Sequence, residues 1–221
     1  MSTTVEIPRL LEDEYIFPNP LDALDEGLLA WGGDLRSERL LCAYKQGIFP
    51  WYSKSDPILW WSPNPRLILY PQDLKVSKSL RQSIRKYELR YNTNFEAVIS
   101  TCKELRKDTW ISKEMQEAYI KLHKIGYAKS IETYLDGELV GGLYGVLIGS
   151  VFCGESMFST KSDASKVALW KLCQMMIKSN ADFIDCQMPT EHLMSLGAVK
   201  ISREDFIKKI LTCKDKKVVL S

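Results

Sequence analysis

Residues 128–158 constrain the fold more than any other part of this chain. Strand-like runs at 128–135, 138–147 and 150–158 are separated by Asp136-Gly137 and Ile148-Gly149. An Asp-Gly pair between such runs supplies the backbone conformation of a tight hairpin turn, so three antiparallel neighbours are expected. Asp163 then stands where it can cap the longest helix, which runs to about Asn180 with Val167, Leu169, Leu172, Cys173 and Met176 apolar. Asp182–Gln187 follows as a short strand. Thr190 caps a short helix ending at Gly197, Ala198–Ile201 is strand-like, and Ser202 with Asp205 opens a last helix. A meander followed by helix, strand and helix is an α+β layout.

The segments before the meander feed the same layout. Leu67–Tyr70 reads as a strand and Glu88–Thr93 as another. Ser77 can cap a helix whose Leu80, Ile84 and Tyr87 face inward while Lys78, Arg81 and Arg85 face solvent. Asn94 caps a helix carrying Phe95, Val98, Ile99, Cys102 and Leu105. Ser112 caps one with Met115, Tyr119 and Leu122 aligned and Gly126 at its end. Residues 1–64 differ in kind, being rich in Pro, Gly and Trp, with one helix starting near Ser37 and stopping at Gly47. Three of the chain's 6 tryptophans fall at Trp51, Trp60 and Trp61. Disordered linkers are poor in aromatics, so these rings form a small core or face a ligand.

Composition removes several classes of function. No apolar run approaches the roughly 18–20 residues needed to span a bilayer. The start, Met-Ser-Thr-Thr-Val-Glu, lacks the basic and apolar regions of a secretory leader, so a cytoplasmic protein is expected. The 6 cysteines (Cys42, Cys102, Cys153, Cys173, Cys186 and Cys213) form no CxxC pair and stand near no histidine. That disfavours both a disulfide framework and a structural zinc site, and no metal is expected. Formal net charge is only +2, but it is unevenly spread. Residues 1–40 hold 9 acidic and 3 basic side chains, whereas Lys75, Lys78, Arg81, Arg85, Lys86 and Arg90 are opposed only by Glu88. A patch of that kind can hold a polyanion on a nearly neutral protein.

Three further features bear on chemistry. In Phe152-Cys-Gly-Glu-Ser-Met-Phe-Ser159 a carboxylate, Glu155, sits in an otherwise apolar strand. Burial of an unpartnered charge costs several kcal/mol, so Glu155 requires a cation or hydrogen-bond donors around it. Gly154 beside it marks a bulge or a close backbone approach. Asp185-Cys186-Gln187 ends the strand after the long helix, a position where ligands often bind in layered folds. The junction 158–166 between strand and long helix contains no glycine, which disfavours a pyrophosphate or coenzyme A cradle on the helix N-terminus. His123 and His192 stand at no telling distance from a Ser or Cys and read as structural.

Seven short segments then bring a family into view. Gly27-Leu-Leu-Ala-Trp-Gly-Gly-Asp-Leu35, Gly47-Ile-Phe-Pro-Trp51, Ile58-Leu-Trp-Trp-Ser-Pro63, Thr109-Trp-Ile111, Glu138-Leu-Val-Gly-Gly142, Phe152–Ser159 and Ile184-Asp-Cys-Gln187 resemble, in order, the bacterial leucyl/phenylalanyl-tRNA–protein transferases. The resemblance implies a small N-terminal domain, 1–64, packed on a GNAT-like acyltransferase domain, 65–221, with a mixed, largely antiparallel sheet. It implies transfer of Leu or Phe, less readily Met, from aminoacyl-tRNA to proteins with N-terminal Arg or Lys, marking them for degradation, with no cofactor. An acetyl-CoA-dependent N-acetyltransferase and a non-catalytic tRNA-binding module are the alternatives. The glycine-free junction disfavours the first; the second would need the basic helix but neither Glu155 nor Gln187.

Carried across residue by residue, the resemblance gives Glu155 the α-amino group of the aminoacyl moiety. Leu143, Phe152, Leu169 and Met176 fall on the side-chain pocket. Trp51 and Trp110 become aromatic walls near the terminal adenosine, with Tyr44 and Tyr119 close by, and Asp185 and Gln187 stand beside the reacting amine. Lys75, Lys78, Arg81 and Arg85 are the expected contacts to tRNA phosphates. This chain has Leu143 and Met176 where other members can have Met and Phe, and Thr190 where some have Asn. An aminoacyl ester is already activated, so holding it against an amine supplies much of the acceleration. Gln187 can accept a hydrogen bond from that amine, and Asp185 can either support Gln187 or help take a proton.

Overall fold

The structure is a computed structural model that describes residues 6–105 and 110–220; Thr109 and the first five residues lie outside them. The N-terminal part forms a four-stranded sheet from β1 (Arg9–Leu10), β2 (Leu28–Gly32), β3 (Phe49–Pro50) and β4 (Leu59–Trp61), ordered β1-β2-β4-β3. Helix α1 (Ser37–Tyr44) lies between β2 and β3 in sequence, beginning one residue beyond Arg36 at its N-cap rather than with Ser37 as the cap.

The rest of the chain builds a seven-stranded sheet from β5 (Arg66–Leu69), β6 (Glu88–Tyr91), β7 (Ala128–Leu135), β8 (Glu138–Ile148), β9 (Val151–Ser159), β10 (Phe183–Gln187) and β11 (Val199–Ile201). The order is β11-β5-β10-β9-β8-β7-β6, and every neighbouring pair is antiparallel except β9 with β10. The α+β expectation therefore holds, with a mixed and largely antiparallel sheet. The meander lies where its turns place it, and Asp136 and Gly137 both take positive φ (51° and 82°), as the tight turn demands.

Side-chain alternation along β8 and β9 divides the core into two layers. Tyr144, Val146 and Cys153 pack on one face with Phe95, Val98 and Tyr119, and Leu143 and Phe152 pack on the other with Leu169, Leu172 and Met176. The helices of these layers are α2 (Lys78–Ile84), α3 (Phe95–Glu104), α4 (Lys113–Lys124) and α5 (Ala164–Lys178). The N-terminal sheet joins the first layer: Trp60, fully buried, shares one cluster with Ile68 and Tyr119. The C-terminal helices are α6 (Glu191–Ser195) and α7 (Arg203–Cys213). Arg203 at the start of α7 donates to the carbonyls of Ala23 (2.7 Å) and Leu24 (2.6 Å), tying the last helix to the first segment.

Four of the expected caps form, with Ser77, Ser112, Thr190 and Ser202 accepting from the amides of Leu80, Met115, Leu193 and Asp205. Two do not. Asn94 makes no side-chain cap; the fully buried Glu132 on β7 accepts from the Thr93 and Asn94 amides, each at 3.3 Å, and so satisfies the start of α3 from outside. Asp163 lies in the left-handed region at φ 62°, where its carboxylate binds Lys166 (2.9 Å) and Ser83 (3.1 Å) instead of the helix amides. The Lys166 ammonium holds its carboxyl below the usual carboxylate range.

Candidate active site

β9 and β10 share a register only from Val151/Phe183 to Cys153/Asp185, although β9 runs on to Ser159 and β10 to Gln187. The two parallel strands part beyond that point, and a cleft of about 690 Å³ opens, lined on one side by Gly154–Ser159 and on the other by Cys186–Met188. A parting of this kind exposes strand ends and side chains together. Glu155 and Gln187 both lie just beyond it.

Glu155 reaches the cleft through a bulge. Tyr144 of β8 faces Ser156 and Gly145 faces Gly154, so Glu155 has no partner across the ladder. A bulged residue is re-aimed relative to its strand. Gly145 permits it: a Cβ there would lie 2.2 Å from the Cys153 carbonyl oxygen and 2.5 Å from the Phe152 ring. The glycine singled out by sequence, Gly154, has more room, with its nearest neighbour 3.5 Å away. Of these two glycines Gly145, unremarkable in sequence, is the one that admits no side chain.

Three neutral donors surround Glu155. Tyr44 Oη on α1 donates to Oε1 at 2.7 Å, Tyr119 Oη on α4 donates to Oε2 at 2.9 Å, and Gln187 Nε2 donates to Oε1 at 2.9 Å. The two phenol oxygens also touch each other. Among the described residues no cation pairs with Glu155. Burial pushes its carboxyl up to about 7; the two phenols and Gln187 pull it down, and the negative Asp185 adds to the rise. Burial, reinforced by the charge of Glu155, pushes both phenols well above their ordinary range.

Behind this group lies a buried ion pair. Arg66 at the start of β5 meets Asp185 in a two-pronged contact, Nε to Oδ1 at 2.8 Å and Nη2 to Oδ2 at 2.6 Å, with both side chains 1% exposed. Asp185 Oδ1 also accepts from the Gln187 amide at 3.0 Å. That contact helps hold Gln187 at φ 62°, a left-handed conformation at a register break between β10 and β5. Strain of this kind persists where the surroundings over-determine it, and here it turns the Gln187 side chain toward Glu155.

The expected residues are thus distributed unequally. Glu155, Gln187, Trp51, Trp110, Leu143, Phe152 and Leu169 line the cleft. Tyr44 and Tyr119 stand behind Glu155 and reach the site through their hydroxyls. Asp185 lies one layer back, both oxygens engaged. Met176 is fully buried and absent from the lining; Leu172, one turn earlier on α5, and Ile184 on β10 occupy the apolar end. Of the three clustered tryptophans, Trp60 is core, Trp51 faces the cleft at 40% exposure, and Trp61 packs edge-on against Trp51 at 5.5 Å. His192, read as structural, lines the cleft, whereas His123 stacks on Phe95 at 4.4 Å and is structural.

Lys75, Lys78, Arg81 and Arg85 are all exposed, and among the described residues none forms an ion pair. Their helix is fixed to the start of α5, through Ser83 to Asp163, and the Lys75 amide donates to the Leu196 carbonyl at 2.9 Å. The basic surface therefore runs beside the elements that carry Leu169 and His192. Among the described residues no group of three or more His, Cys, Asp or Glu could hold a metal ion, and no helix is long and apolar enough to cross a membrane.

Two family models match the chain: one described as leucyl/phenylalanyl-tRNA protein transferase over residues 68–211, and one for the N-terminal domain of the same transferase over residues 33–64. A relative of that name in Sulfurimonas denitrificans is 53% identical over 208 residues, covering 92% of this chain and 91% of the relative. Another in Legionella pneumophila is 54% identical over 200 residues, covering 89% and 90%. Among solved structures, a GCN5-related N-acetyltransferase from Kribbella flavida aligns with a TM-score of 0.40 at 10% identity, covering 73% of this chain and 59% of that one.

The bulge generates a direct test. Gly145→Ala must displace the Cys153 carbonyl or the Phe152 ring, and overpacking of that order costs about 1–3 kcal/mol. Urea denaturation should show a drop in stability in that range, whereas Gly154→Ala, with room for a methyl group, should cost less than half as much.

Proposed function

Since the chain belongs to the leucyl/phenylalanyl-tRNA–protein transferase family, we propose that it moves Leu or Phe, less readily Met, from aminoacyl-tRNA to the α-amino group of proteins that begin with Arg or Lys. It does so in the cytoplasm, and the product is marked for degradation. The observation that carries this reading is Glu155: a carboxylate held by three neutral donors, unpaired with any cation among the described residues, at the polar end of an apolar cleft. Such a group suits a ligand that brings its own positive charge beside an apolar side chain. The α-ammonium and side chain of an aminoacyl ester have that form.

The donor's side chain enters the end made by Leu143, Phe152, Leu169, Leu172 and Ile184, and Met176 supports that wall from behind. Trp51 and Trp110 flank the entrance, where the terminal adenosine can stack. Gln187 spends its Nε2 on Glu155, which leaves its carbonyl oxygen free to accept from the attacking amine. An α-amino group, with a pKa of about 7.7–8.0, is partly neutral at pH 7 and needs orientation more than deprotonation. Asp185 is a positioning residue: Arg66 and the Gln187 amide occupy its oxygens, so it holds Gln187 in place rather than taking a proton. Two separate sheets support a division into domains 1–64 and 65–221, on which the cleft draws Phe49–Trp51 from the first and β9 and β10 from the second.

Mass spectrometry of an Arg-starting peptide incubated with charged tRNA tests the reading. Gain of one Leu or Phe residue on the N-terminal amine is expected. Acetylation from acetyl-CoA, or tRNA binding without any transfer, would overturn it in favour of the respective alternatives.

Two variants should fail differently. Charge-assisted hydrogen bonds are worth about 1.5–3 kcal/mol, so Glu155→Gln should lose roughly one to two decades in kcat/KM. Gln187→Ala should lower kcat while leaving donor affinity nearly intact, as measured by single-turnover transfer beside donor binding. A normal rate in Gln187→Ala would remove Gln187 from the chemistry.

The basic helix contacts tRNA backbone phosphates without reading sequence. Reversing charge at Arg81 and Arg85 together should weaken tRNA binding and flatten its dependence on salt, by about one unit of log–log slope for each phosphate no longer neutralised. An unchanged slope would detach the helix from tRNA.

A further inference from the structure

The protons around Glu155 can be counted. Tyr44 Oη contacts Oε1, Tyr119 Oη contacts Oε2, and the two phenol oxygens contact each other, which closes a ring of three oxygen–oxygen contacts. Each contact needs one proton between its oxygens. Two phenols supply two protons, and an ionised carboxylate supplies none. One contact would then set lone pair against lone pair in a buried site. A third proton, on Glu155, completes the ring by reversing the bond in which Tyr119 donates to the ionised carboxylate: Glu155 then donates to Tyr119, Tyr119 to Tyr44, and Tyr44 back to the carboxyl group. Gln187 Nε2 remains a donor to Oε1 in either state.

We propose that the empty site carries this third proton on Glu155 and that binding of the donor's α-ammonium expels it to solvent. This rests on the functional reading above, in which Glu155 receives that ammonium. The groups facing Glu155 are consistent with a stored proton. They are Tyr44 from α1, Tyr119 from α4, Gln187 and Asp185 from β10, and Cys153 on its own strand. Tyr144 of β8 packs edge-on against the Tyr119 ring at 5.8 Å. Asp185 is matched by Arg66, and His192 lines the same cleft. Burial raises the Glu155 carboxyl to about 7 despite the three donors.

The balance follows from one rule: the bound carboxylate–ammonium pair holds a single proton. Below pH 7 both free partners carry one, so one is released on binding. Above pH 8 neither does, so one is taken up. With an amine near 7.7–8.0, exchange should vanish at about pH 7.4, where affinity is also greatest. An ordinary glutamate would instead give no release at pH 6 and flat affinity from pH 5 to 7.

Two measurements decide the matter. The first is a carbon-13 carboxyl titration of the free protein, with the Glu155 resonance assigned by its disappearance in Glu155→Gln. It should show a midpoint near 7. A midpoint in the ordinary carboxylate range overturns the proposal. The second is calorimetry of an unreactive donor mimic, phenylalanine linked by an amide to 3′-amino-3′-deoxyadenosine, in buffers of different ionisation enthalpy. About 0.9 proton should be released per mimic at pH 6 and almost none at pH 7.4. No release at pH 6, or equal release from Glu155→Gln, overturns the proposal. A mimic that does not bind the unmodified protein counts against the functional reading, and the carboxyl titration then decides the stored proton alone.

Discussion

The buried pair of Arg66 and Asp185 is the interaction on which the site's geometry depends. Its guanidinium lies over the rings of Phe49 (4.8 Å) and Phe206 (4.3 Å) while both prongs hold Asp185. One side chain therefore joins β5, β10, the N-terminal sheet and α7. Removing either partner would strand a buried charge, at a cost of about 3–5 kcal/mol. An apolar replacement of both could be as stable, so the pair is better understood as a device for position than as a source of stability. What it positions is Gln187, whose amide it fixes and whose left-handed backbone it maintains.

From that point the site follows from sheet geometry. Parallel strands that part leave unpaired ends, and the bulge at Glu155 uses the opening to bring a carboxylate inward. α1 and α4 approach from separate parts of the chain to supply the two phenols. The result is a polar cluster with no metal-ligand group among the described residues and, among those residues, no cation on the carboxylate. It suits a reaction whose energy is already stored in the donor ester. On the proposed reading, the protein's contribution is to hold two reactants in register, to fix one charge, and to offer one hydrogen-bond acceptor to the attacking amine.

Sequence disclosed the local parts of this arrangement. Ser77, Ser112, Thr190 and Ser202 cap their helices because a cap is decided within three residues. Asn94 and Asp163 have the right residue types and do not cap: Glu132 accepts the Asn94 backbone amide, and Ser83 with Lys166 hold the Asp163 carboxylate away from the helix amides. Glu155 was legible as a charge in an apolar run. Its phenol partners lie 111 and 36 residues away, and the family resemblance set Tyr44 and Tyr119 beside the adenosine walls rather than on Glu155. Of the expected pocket residues Leu143, Phe152 and Leu169 line the cleft and Met176 does not: Met176 and Leu172 share one face of α5, and periodicity cannot say which turn meets the cleft and which the core. His192 had no sequence signal, since only the parting of β9 and β10 brings α6 to the cleft.

Everything in the functional reading turns on Glu155, re-aimed by its bulge, receiving the donor's ammonium while the donor's side chain enters the apolar end. A crystal structure with an unreactive phenylalanyl-adenosine amide shows directly whether it does. The amino nitrogen should lie within hydrogen-bond distance of Glu155, the phenyl ring should touch Leu143 and Leu172, and the adenine should stack by Trp51 or Trp110. An amino group bound elsewhere, with Glu155 still closed on Tyr44 and Tyr119, would refute that role for Glu155.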